Sequence, residues 1–239
     1  MMITLNGRHV LVCVAALAFS GTAMADGKDD SKGGSACSIP VNILTRVQMQ
    51  LYEVVRLPDQ NGGIFGPNRM WSAIVDRHGK LCIINKVGDA WPGSRAIAVA
   101  KAYTANAFSN DALALSTANL YAATQPGGSL YGLNNSNPFN PEFLGKGEGY
   151  GKTTGGIITF GGGVPLYMGG KVIGGLGVSG DSACADHAIA YRMRRLAKLD
   201  GVPAGVGPNN TDNIVYAAGT PSGFEHPHCF PSDLPADAL

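Results

Sequence analysis

The sequence predicts an α+β domain, with a largely antiparallel sheet and helices packed on it. Three observations carry that expectation. Apolar residues recur at helical spacing at Val41, Leu44, Val47, Leu51 and Val54–Val55. Short β-forming runs then come in groups joined by glycine turns, and hairpin-joined strands pair antiparallel. Alanine-rich helical stretches separate and close those groups. The expected order is helix, two strands, two helices, three strands, helix.

Each element has its own warrant. The first helix is expected from Ile39 to Leu57, followed by a loop from Pro58 to Asn68 centred on Asn61-Gly62-Gly63. Trp71–Asp76 and Leu81–Ile84 read as strands, and Arg77-His78-Gly79-Lys80 as their hairpin, with Gly79 supplying a positive φ. Ser94 is the expected N-cap of an alanine-rich helix from Arg95 to Phe108. A second helix is expected from Ala112 to Ala123. Residues Gln125 to Gly156 carry many Gly, Asn and Pro without periodicity; a loop this long is more often functional or interfacial than incidental. Ile157–Phe160, Val164–Met168 and Lys171–Val178 read as three strands. The last helix is expected from Ser182 to Leu199, with Ile189, Met193 and Leu196 toward the core. Arg192, Arg194, Arg195 and Lys198 sit late in it, where cations suit the helix dipole. In the Pro- and Gly-rich remainder, only Asn213–Tyr216 suggests a further strand.

The start of the chain reads as a secretion signal. A basic Arg8-His9 precedes the apolar run Val10–Phe19, which is too short to span a bilayer, and Ala23-Met24-Ala25 fits a cleavage site. The expected organisation is a signal over residues 1–25, a polar leader over 26–38, one domain over 39–199 and a C-terminal extension over 200–239. Loss of Arg8 takes the formal charge from +1 to zero, and no basic cluster remains. That balance argues against nucleic acid or an anionic membrane as partner. With Cys13 inside the apolar run, Cys37, Cys82, Cys184 and Cys229 remain, an even number that suits two disulfides in an exported chain. Three connectivities are open. The expected one is Cys37–Cys82, tying the first helix to the sheet, and Cys184–Cys229, pinning the extension to the start of the last helix.

Four segments then stand together in one order: Ile74-Val-Asp-Arg-His-Gly-Lys-Leu81; Ser94 through Lys101-Ala-Tyr-Thr-Ala105; Phe160-Gly-Gly-Gly-Val-Pro-Leu166; and Gly174-Gly-Leu-Gly-Val-Ser-Gly180 followed by Asp186. In this arrangement, over roughly Ile39 to Leu199, the chain resembles the haem-binding HbpS-like family, which includes GlcG and the C-terminal domain of PduO. The resemblance implies an α/β/α sandwich, with helices on both faces of a five-stranded antiparallel sheet, and assembly into homo-oligomers. It implies a small-molecule ligand, haem for several members, with haem degradation described for some. Export would place such a protein in the periplasm or outside the cell. The loop before Gly156 and the extension after Leu199 are longer than the family pattern. The first helix has no histidine, whereas some members ligate haem iron from that region.

On that reading a ligand lies between the Lys101 helix, the Phe160–Pro165 turn and the Ser179–His187 loop. Lys101 is either a desolvated lysine that meets a carboxylate or acts as a nucleophile, or a structural tie, with Thr104 one turn on. Gly161, Gly162 and Gly163 lack the context of a dinucleotide fingerprint and are read as a site of close approach, with Pro165 just after them. The Ser179 hydroxyl and Gly180 amide suit an anion such as a carboxylate or a haem propionate. Asp186 either caps the last helix or receives Lys101. His187 is a candidate iron ligand or a packed imidazole. His226 and His228 flank Pro227 beside Cys229; they are either metal ligands or part of a pinned surface tail. No order of Ser, His and acid supports a hydrolase. An acid–base enzyme using Lys101, Asp186 and His187, and an accessory protein of a catabolic system, are the alternative expectations.

Overall fold

A computed structural model describes residues 37–66, 68–140, 149–217 and 222–239. The expected signal over 1–25 and nearly all of the leader lie outside the described residues. The elements are α1 (Val41–Val54), β1 (Met70–Asp76), β2 (Leu81–Val87), α2 (Ser94–Ala107), the short α3 (Tyr121–Thr124), β3 (Gly163–Met168), β4 (Lys171–Ser179) and α4 (Ala183–Leu196). No described helix is long and apolar enough to cross a membrane.

Among the described residues the sheet has four strands, in the order β2-β1-β4-β3, and every pairing of these strands is antiparallel. The expected hairpin joins β1 to β2, with Gly79 at φ +74°, and Gly169 and Gly170 turn β3 into β4 at φ +59° and +76°. Pro165 is tolerated in β3 because β3 is an edge strand.

Period-two side-chain alternation divides the sheet between two layers. Leu176 and Val178 of β4 join Met70 and Ile74 of β1 in a core shared with Val47, Leu51 and Val54 of α1 and Ile189 and Met193 of α4. On the other face Ala73 and Leu81 meet Ala98 and Val99 of α2. Here β4 presents Gly175 and Gly177, where an added Cβ would lie 2.2 Å from the Ala102 carbonyl oxygen and 2.0 Å from that of Ala98. The run Gly174-Gly-Leu-Gly177 is therefore strand interior, stripped of side chains so that the α2 backbone rests on the sheet.

Two disulfides have the expected pairing. Cys37–Cys82 ties the approach to α1 to β2, and Cys184–Cys229 ties the start of α4 to the C-terminal extension.

Five expectations are corrected. The fifth strand, Ile157–Phe160, does not form, because its backbone lies along α2 and α3 instead of the sheet edge. Its donors go to side chains: Ile158 N–H to Thr104 Oγ1 at 3.0 Å, and the following Gly161 N–H to His226 Nε2 at 3.2 Å. The expected helix over Ala112–Ala123 is reduced to a 3-10 turn, Thr117–Leu120, and the single turn of α3. Upstream, the Asn110 side chain accepts from Ala112 N–H and Leu113 N–H and holds a turn, and Ser116 and Asn119 make a capping box that starts helical structure late. Ser94 is the first helical residue of α2 rather than its cap, which is Gly93. Leu196 is 52% exposed, outside the core its spacing predicts. Asn213–Tyr216 makes only a one-residue bridge, Tyr216 with His226.

Candidate functional site

The expected site residues do converge, but into a sealed junction. Lys101 Nζ lies 2.7 Å from Asp186 Oδ2 and 3.1 Å from the Val178 carbonyl, with the two side chains 0% and 2% exposed. Phe160 is half-buried, with its ring centroid 4.9 Å from the same ammonium. The other Asp186 oxygen accepts from Gly180 N–H at 3.1 Å and Asp181 N–H at 2.9 Å. The anion expected near Gly180 is thus the chain's own carboxylate. Burial pulls the Lys101 ammonium below its ordinary value and pushes Asp186 up to about 6, and each partner offsets part of the other's shift.

The glycine turn shapes this junction rather than opening it to a ligand. Gly162 has φ +121°, and a Cβ there would lie 2.6 Å from Lys101 Nζ. A Cβ on Gly161 would meet the Ala183 carbonyl at 2.3 Å, and one on Gly163 the Lys101 carbonyl at 2.5 Å. Thr104 is buried; it donates to the Ala100 carbonyl and receives Ile158 N–H. Pro165 lends its carbonyl to Arg194 at 3.0 Å. Ser179 is buried at the end of β4.

The three histidines part company. His187 is fully buried and turns away from Lys101, with Nε2 3.1 Å from Asn213 Oδ1 and receiving Ile214 N–H at 3.1 Å. Its Nδ1 has no hydrogen-bond partner among the described residues, and burial holds the imidazole down at about 4. It is the packed histidine, not an open ligand. His226 is buried over the glycine turn; its Nδ1 lies 2.7 Å from the Pro227 carbonyl, and burial lowers its basicity. His228 is exposed and stacked on Tyr216 at 3.9 Å, with Nδ1 3.4 Å from Asp233. His226 and His228 therefore do not face one another as a metal pair. His226 does lie within 4.8 Å of the sulfurs of Cys184 and Cys229, which are bonded to each other.

Sequence reasoning missed two features. Arg194, expected only as a late-helix cation that suits the dipole, is buried and bidentate to Asp212 at 2.6 Å through each nitrogen. Burial lowers its basicity, but Asp212 more than offsets this and raises it. Only the sequence separation between helix and extension hid the pair. The second feature is a groove of about 430 Å³ on the outer side of α2. Ala96, Ile97, Ala100, Phe139, Ile157 and Ile158 make its apolar walls, and Asn134, Asn135 and Asn137 supply amides. The long loop expected to be functional forms one wall.

Residues 67–194 match the family model described as haem degrading protein HbpS-like. The chain belongs to the HbpS-like family. This HbpS-like chain is 35% identical over 118 residues to an uncharacterized 15.0 kDa protein of the dhaT-dhaS intergenic region of Citrobacter freundii, covering 49% of this chain and 68% of that one. It is 36% identical over 118 residues to the corrinoid adenosyltransferase PduO of Salmonella typhimurium, covering 49% of this chain but only 29% of that enzyme. Among solved structures, the PduOC:haem complex superposes with a TM-score of 0.50 at 28% identity, covering 68% of this chain and 95% of that one. The family match ends inside α4, so the extension that carries His226 and Cys229 lies beyond it.

Proposed function

We propose that this HbpS-like protein binds haem or a similar flat tetrapyrrole and stores, delivers or sequesters it. The observation that carries this reading is the α2 groove. Its volume lies in the range of small-molecule sites, and its long apolar walls with few amides suit a planar apolar ring with polar edges. The haem complex of a 28% identical relative supports the ligand class.

The groove's donor set fits the ring and not the iron. None of its lining residues is His, Cys, Met or Tyr, the side chains that ligate haem iron. We therefore assign the walls the role of holding the macrocycle and the three asparagines that of receiving its carboxylate edges. The apolar start of the sequence and two disulfides support export to an oxidising compartment. The two curated relatives support service to a catabolic system, and the family resemblance supports a homo-oligomer.

An absorbance titration of the folded protein with haemin tests the reading. A saturable Soret change, weakened at least tenfold by Ile97→Asp and unchanged by His228→Ala, is expected. No Soret change, or one indifferent to Ile97→Asp, overturns the groove as the site.

A further inference from the structure

We propose that Cys184–Cys229 is a redox-active disulfide that exchanges with a dithiol reductant, and that its opening releases the C-terminal extension from the glycine turn. This does not rest on the haem reading.

The two disulfides sit in opposite electrostatic settings. Cys184 is the second residue of the 14-residue α4, after the N-cap Ser182. Its own backbone N–H donates to Cys229 Sγ at 3.1 Å, and His226 Nδ1 lies 3.9 Å from its sulfur. A helix N-terminus and a neighbouring imidazole N–H both stabilise a thiolate. Stabilising the reduced form makes a disulfide easier to reduce. Beside Cys37 and Cys82 stands instead the Asp76 carboxylate, within 4.8 Å of both sulfurs. That carboxylate accepts from Ser38, His78 and Lys80 backbone N–H groups and is fixed in place. A fixed carboxylate opposes thiolate formation and so protects the bond.

The bridge is also asymmetric. Cys184 is 3% exposed, whereas Cys229 is half-buried. Cys229 Sγ is thus the sulfur a reductant can reach, and Cys184, at the helix terminus and away from the Asp233 carboxylate that takes the Cys229 N–H at 2.6 Å, is the better leaving group. An incoming thiolate therefore attacks Cys229 Sγ. The S–S bond breaks, and Cys184 leaves as the thiolate at the helix terminus. The reductant's second thiol then resolves the mixed disulfide. One dithiol becomes a disulfide as the protein gains two thiols.

What this bridge holds is a strap. His226 Nε2 accepts Gly161 N–H, the His226 ring packs on Tyr121 at 4.9 Å, and Ala122 N–H donates to the Glu225 carbonyl at 3.2 Å. Arg194 and Asp212 anchor the near end, and Ser232 on the Gly62 carbonyl and Leu239 in the core anchor the far end, whatever the redox state, so release is confined to the stretch around Glu225 to Cys229. Beneath it lie Gly161 and the Phe160–Lys101–Asp186 junction.

The full chain is titrated with dithiothreitol, alkylated and mapped by mass. Cys184 and Cys229 are expected to label together at dithiol concentrations at least tenfold below those that open Cys37–Cys82. Simultaneous opening, or Cys37–Cys82 first, overturns the proposal. His226→Phe, which keeps a ring against Tyr121, is expected to narrow that window several-fold; an unchanged window overturns the histidine's part. Hydrogen exchange at Gly161 should quicken in the selectively reduced protein while β1 and β4 stay protected, and an unchanged Gly161 overturns the release.

Discussion

Lys101 Nζ meets Asp186 Oδ2 at 2.7 Å, joining two helices that pack on opposite faces of the sheet. The pair closes beside Gly162, where a side chain would occupy the ammonium's space. Asp186 in turn organises the loop after β4 through Gly180 and Asp181. One ion pair thus ties α2, β4 and α4 together.

A structural tie has a stability consequence. Lys101→Met leaves the Asp186 carboxylate buried without its partner and should cost about 3–5 kcal/mol. Lys101→Met with Asp186→Asn should cost less than Lys101→Met alone, because the amide oxygen can still accept from Gly180 and Asp181. Denaturant unfolding under non-reducing conditions measures both. A single variant as stable as the parent would show that the pair is not a tie.

The glycines of β4 offer a sharper contrast. Gly177→Ala places a Cβ 2.0 Å from a backbone oxygen of α2, so the helix itself must move. We expect a loss of about 3 kcal/mol, the upper end of overpacking costs. Gly93→Ala, with nothing within 4 Å of the new Cβ, should change stability by no more than about 0.5 kcal/mol. Thermal melts of the two variants side by side decide the matter.

These contrasts show what the sequence could and could not convey. Runs of β-forming residues and glycine turns located β1 to β4, and the starts expected at Ile39 and Ser182 fall within two residues of those of α1 and α4. Ile157–Phe160 misled because β-propensity reports an extended backbone, not what takes its hydrogen bonds; here Thr104 and His226 do. The Lys101–Asp186 meeting was readable as one of two options. Its sealing was not, because the lid is made by the extension and the turn together, at long range in the chain. His187 stayed open between ligand and packed imidazole for the same reason: nothing local announces Asn213 and Ile214 above it.

Burial of His187 fixes the sign of one pH effect. Its folded value of about 4 lies below the ordinary 6.5, so between those values the unfolded chain binds more protons. Stability from this group falls as pH drops below 6.5, and the loss, about 3 kcal/mol, is complete below 4. Asp186, raised from 3.8 to about 6, acts in the opposite sense over much of the same window. The parent alone would therefore show a blunted slope. Subtracting the His187→Gln profile isolates the histidine: between pH 7 and pH 4 the parent should lose about 3 kcal/mol more than the variant. Parallel profiles would place His187 in contact with water.

A groove that grips a ring but not its metal makes a direct comparison possible. Iron-free protoporphyrin should bind with an affinity within a few-fold of haemin, and Ala96→Phe should weaken both equally by filling the wall. Fluorescence quenching for the porphyrin and Soret absorbance for haemin supply the two constants. Haemin binding more than tenfold tighter would mean that a protein side chain outside the lining reaches the iron.

Arg194 and Asp212 determine whether the extension belongs to the fold or merely rests on it. The guanidinium spans from the Pro165 carbonyl in β3 to both Asp212 oxygens, fully buried. A lysine there keeps the charge but loses the planar fork, so at most one oxygen stays paired. Arg194→Lys should therefore cost about 2 kcal/mol, and Arg194→Met about 3–5, because the latter strands a buried carboxylate. If the extension is integral, either loss should appear in global unfolding with the disulfide intact. If it is a separable strap, the same variants should leave the global midpoint unchanged and instead speed hydrogen exchange at Ile214, whose N–H is otherwise held between His187 and Asn213. The bidentate geometry and the full burial favour the first result, with release on reduction confined to the stretch around Glu225 to Cys229.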